Sequence, residues 1–121
     1  MTNDPNDTQS LLDRSFLRSV LKGVGARRFV ETLKLFEVHG QEMLRQISSE
    51  DIAQRRKSAH MLHGASSNLG MVPLAAAIQQ ASAAMREQRS FDFPKLEKLF
   101  YRSLEALLAE GNRLLEHADT P

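Results

Sequence analysis

The chain has 121 residues, 41% of them apolar and 26% charged, which suits one domain around one hydrophobic core. Sixteen Lys and Arg against fifteen Asp and Glu leave a net charge of +1, so no global field favours nucleic acid or an acidic membrane surface. There is no cysteine for disulfides or thiolate metal sites and no apolar run near the roughly 20 residues that span a bilayer, so a cytoplasmic monomer is the expectation.

In chain order, Met1 to Gln9 is polar, with Asp4, Pro5 and Asp7 and little to bury. It reads as a disordered leader, 1–9, before a folded domain over 10–118. Thr8 or Ser10 is placed to cap a short helix that runs to about Lys22, with Leu12, Phe16, Leu17 and Val20 on one side and Gly23-Val24-Gly25 at its end. From Ala26 to about Ile47, the residues Phe29, Leu33, Phe36, Met43 and Ile47 form an amphipathic stripe. Gly40 fills the one gap in it and predicts a close helix crossing.

Ser48 or Ser49 caps the next helix, whose first turn holds Glu50 and Asp51. Ile52, Ala59, Leu62, Ser66 and Leu69 are its inward positions, and Gly70 closes it. Pro73 opens a further helix with Leu74, Ile78, Ala81 and Met85 along its stripe. After a loop over 88–92, Pro94 marks the start of a last, leucine-rich helix that reaches about Glu116. Nothing alternates with period two, so the class is all-α. Short connections between long amphipathic helices predict an up-and-down antiparallel four-helix bundle with an additional short N-terminal helix.

No GxxxxGK[ST], GxGxxG, GxSxG or HExxH occurs, so any chemistry belongs on an exposed surface completed by another protein. His60 is the candidate. At about 100° per residue it falls on the flank of the Ala59, Leu62, Ser66 and Leu69 stripe. Arg56, Gly64 and Ser67 share its flank, while Lys57 and His63 lie three residues to either side. Gly64 costs about 1 kcal/mol relative to alanine in a helix interior, and its reason is access to the imidazole. Arg55, Arg56 and Lys57 form a local basic patch suited to an acidic partner. Ser67, Gln79, Gln80 or Ser82 is available to hold the second ring nitrogen and fix the tautomer.

The stretch Ala59-His60-Met61-Leu62-His63-Gly64-Ala65-Ser66-Ser67-Asn68-Leu69-Gly70 resembles the signature of histidine-containing phosphotransfer (HPt) domains. Ala59, His60, Leu62, Gly64, Ser66 and Gly70 match that signature, and the similarity runs over about residues 10 to 117. The resemblance implies a helical bundle whose His60 accepts a phosphoryl group from a receiver-domain aspartate and donates it to another receiver domain. Receiver domains of response regulators and hybrid sensor kinases are then the partners. They supply the divalent cation, so the chain itself needs no cofactor or metal and has no kinase or phosphatase activity of its own. Where such domains carry a lysine three residues after the histidine, this chain has His63, and an imidazole is mostly neutral at pH 7. Arg56 and Lys57 are the residues left to supply positive charge.

Other readings of the same residues are plainer. His60 and His63 form half of a zinc site with no third ligand on that face. His39 and His117 read as bystanders, and the methionines and phenylalanines as core. A helical adaptor that docks receiver or kinase domains without transferring a phosphoryl group is the alternative function.

Overall fold

In the computed structural model, which describes residues 11–118, five helices follow one another: α1 (Arg14–Val24), α2 (Ala26–Ile47), α3 (Ile52–Asn68), α4 (Val72–Arg86) and α5 (Phe93–Ala118). The described residues contain no strand, as the absence of alternating patterns required. The leader expected over 1–9 lies outside the described residues.

The start of α3, assigned to a hydroxyl, belongs to a carboxylate instead, and a carboxylate also starts α1. Asp13 Oδ1 accepts from the Phe16 amide at 3.0 Å and α1 begins at Arg14, while the cap expected at Thr8 or Ser10 lies outside the described residues. Asp51 Oδ1 accepts from the Gln54 amide at 3.2 Å and starts α3. A full negative charge suits the free N–H groups and positive dipole of a helix start better than a hydroxyl does. Ser49 supports from behind, accepting from the Asp51 amide at 3.1 Å, while the Ser48 hydroxyl donates to the Arg45 carbonyl at the end of α2. Similarly, α1 continues through Gly23 to Val24, and only Gly25, at φ 88°, breaks it.

The core is drawn from every helix, with Leu17, Phe29, Ile47, Ala59, Leu62, Leu74, Ile78, Phe100 and Leu107 all fully buried. α3 packs on α2 and on α4, α5 on α2 and α4, and α1 on α2 and α5. A Cβ on Gly40 would lie 3.2 Å from the Phe100 ring, which is the close crossing expected there. A second close approach, at Gly111 against Leu33, has no counterpart in the stripe pattern. Several expected core positions shift, Phe16 and Met61 among them at 43% and 50% exposed. Leu44 is buried and Met43 only partly so, because the stripe steps by four through Gly40. Ile52, expected inward, is 62% exposed, because it stands at the tip of α3 beside the α4–α5 loop, with Met85 and Gln88 on the same groove.

Polar groups tie the helices at two buried points. The Ser58 hydroxyl donates to Gln46 Oε1 at 2.8 Å and accepts from Gln54 Nε2 at 3.0 Å, joining α2 to α3. Glu110, 3% exposed, bonds Arg113 on its own helix and faces Arg14 of α1 at 3.6 Å. None of the described helices is long and apolar enough to cross a membrane.

Candidate functional site

α3 carries the site because its apolar set is narrow. Ser58, Ala59, Leu62 and Ser66 are its buried residues, and most of the remaining surface faces solvent. His60 is exposed and His63 half-buried. Both line an open groove of about 410 Å³ between α3 and α4, with Arg56 on the same helix. Gln79, Ser82, Met85 and Arg86 form the α4 wall.

Helical angles explain which expected neighbours arrive. Relative to His60, Arg56 and His63 lie about 40° and 60° to one side, whereas Gly64 and Lys57 lie about 40° and 60° to the other. α4 packs along the first side. The groove therefore gathers Arg56, His60 and His63, and leaves Lys57 exposed on the opposite flank. Ser67 is also outside it, exposed and about 10 Å further along the helix axis.

A Cβ built on Gly64 meets nothing within 4 Å, so the surface beside the imidazole is open on that flank. Of the four residues considered for holding the ring, Gln79 and Ser82 face the groove and Gln80 lines a different one, between α4 and α5. No hydrogen bond from any of them reaches His60 among the described residues.

The basic run divides by role. Arg55 Nε donates to the Ile47 carbonyl at 3.1 Å and its guanidinium lies 5.9 Å over the Phe91 ring, so it braces the helix start. Arg56 is exposed and has no protein partner among the described residues. Arg86 shares the groove with it and was not legible in the sequence. Its only signal there is a basic residue four after Ser82 and seven after Gln79, on one face of α4.

The groove continues into a neighbouring one of about 450 Å³ that shares Arg56 and Met85 and adds Ile52, Arg55 and Arg89. Among the described residues, no carboxylate lines either groove. Among the described residues, no group of three or more His, Asp or Glu side chains is placed to hold a metal ion. Chemically, the site offers an accessible imidazole in a cationic, partly apolar trough. Comparison with protein families, curated proteins and solved structures gives no match.

Proposed function

We propose that the chain is a phosphorelay intermediate, with His60 accepting a phosphoryl group from a receiver-domain aspartate and passing it to another receiver. The observation that carries this reading is an exposed His60 in a groove with Arg56 and Arg86 and, among the described residues, no carboxylate. The neutral imidazole attacks phosphorus in line through its lone-pair nitrogen. A P–N bond forms as the P–O bond to the aspartate breaks, and the electron pair leaves on the partner's carboxylate. The proton on the other ring nitrogen passes to solvent. No base is required on this chain, and the partner brings the divalent cation. The finer architecture in this proposal is an up-and-down antiparallel bundle of α2 to α5, with α1 added at the N-terminal side, acting as a cytoplasmic monomer.

Cations near His60 stabilise the charge on the transferring group, and Gly64 admits the partner's active site. The test uses receiver domains charged with radiolabelled acetyl phosphate, mixed with wild type and with His60→Gln. Acid-labile, base-stable label on wild type alone is the expected result. Label that never appears on wild type, or that persists in the variant, overturns the relay. Receiver binding without any label would identify the non-transferring adaptor instead.

A further inference from the structure

Four arginines stand along the α3–α4 trough, and two of them are committed. Arg55 is tied to the Ile47 carbonyl and the Phe91 ring, and Arg89 pairs with Glu87 at 2.7 Å. Arg56 and Arg86 have no hydrogen bond or ion pair among the described residues. They come from different helices, yet line one groove together with two imidazoles and, among the described residues, no carboxylate. Unpaired cations occur elsewhere on α2 and α5, but here two arginines from different helices line one concavity. Like charges that line one groove favour an anion bound in it. Guanidinium forks match the oxygens of a tetrahedral oxyanion in paired, charge-assisted hydrogen bonds. Gln79 and Ser82 add neutral donors on the α4 wall, and Met85 keeps part of the groove apolar.

We propose that this groove is a non-covalent site for free inorganic phosphate, held between Arg56 and Arg86 with Gln79 and Ser82 at its edge. Binding does not require His60 to be phosphorylated. One consequence does rest on the relay reading: bound phosphate and an incoming acyl phosphate compete for the same guanidinium groups, so phosphate slows labelling of His60.

The test follows the imidazole proton–carbon resonances of the full chain during titration with inorganic phosphate. The pH is fixed, and ionic strength is balanced with chloride. Saturable shifts of His60 and His63, with His39 and His117 unmoved, are expected. Arg86→Gln should weaken the apparent affinity about tenfold, the loss of one charge-assisted contact. Arg28→Gln, on the exposed surface of α2, should leave it unchanged. Chloride that reproduces the shifts, shifts that never saturate, or unaltered binding in a folded Arg56→Gln, Arg86→Gln double variant overturns the site. Phosphate binding without label on His60 removes the relay and leaves the site standing. Labelling without phosphate binding does the reverse.

Discussion

Gly64 and Gly70 stand six residues apart and respond to a methyl group in opposite ways. At Gly64 an added Cβ meets open space in a helix interior, so Gly64→Ala should raise stability by up to about 1 kcal/mol. Under the relay reading, the same change slows phosphoryl transfer by crowding His60. Gly70 adopts φ 73° and would set a Cβ 3.1 Å from the Asp13 carbonyl, so Gly70→Ala should cost about 1–3 kcal/mol. Thermal melts by circular dichroism beside a labelling assay separate the two effects. Both glycines and His60 were visible in the sequence, since a glycine inside an apolar-periodic segment is an anomaly wherever it occurs. Arg86 was not. Its place beside Arg56 depends on the rotation of α4 against α3, which no spacing within either helix records. The same rotation removes Lys57 from the groove.

At the level of the elements, the stripes, the Gly70 stop and the Pro73 start were legible, and the cap of α3 was not. The α2 boundaries, Ala26 to Ile47, follow from apolar spacing and flanking breakers alone. Cap residues compete locally, however: Ser48, Ser49 and Asp51 are all acceptable starts, and three-dimensional hydrogen bonding chooses Asp51. Asp51→Ala should therefore destabilise the protein by about 1 kcal/mol, and Ser49→Ala by less, as measured by urea unfolding at pH 7. The Ser58 hydroxyl, fully buried between Gln46 and Gln54, is a stricter test of the α2–α3 seam. Gln46→Ala removes its acceptor and should cost about 1–3 kcal/mol, because a buried polar group loses its partner. An unchanged midpoint would mean that the seam is held by the apolar contacts of Ile47, Ala59 and Leu62 instead.

The whole molecule is joined across its sequence by Glu110. The hydrogen bond from Arg113 holds its carboxyl below the ordinary glutamate value of 4.5; burial opposes this, and the charges of Arg14, Arg113 and Arg18 add to it. A lowered folded-state pKa gives stability that is fully present above 4.5 and is lost as pH falls through the folded value. Glu110→Gln should remove that part of the acid dependence and cost on the order of 1 kcal/mol at pH 7, since both arginines remain partly exposed and screened. Urea unfolding of wild type and variant from pH 7 to pH 3 should show two curves that converge toward acid. Parallel curves would show that the carboxylate contributes nothing through its charge.

The amide of Asp13 donates to the Gly70 carbonyl at 2.8 Å. That single proton spans the start of α1 and the turn that ends the helix bearing His60. It becomes free to exchange with deuterium only when the two part, so its rate counts how often the first helix lifts away. Protection approaching that of core amides such as Phe29 would mark α1 and α3 as one opening unit, and exchange at an unprotected rate would mark α1 as a detachable strap. In the first case the contact also works as a mechanical linkage: a pull at residue 13 is delivered to the α3–α4 turn, at the end of the helix that bears His60.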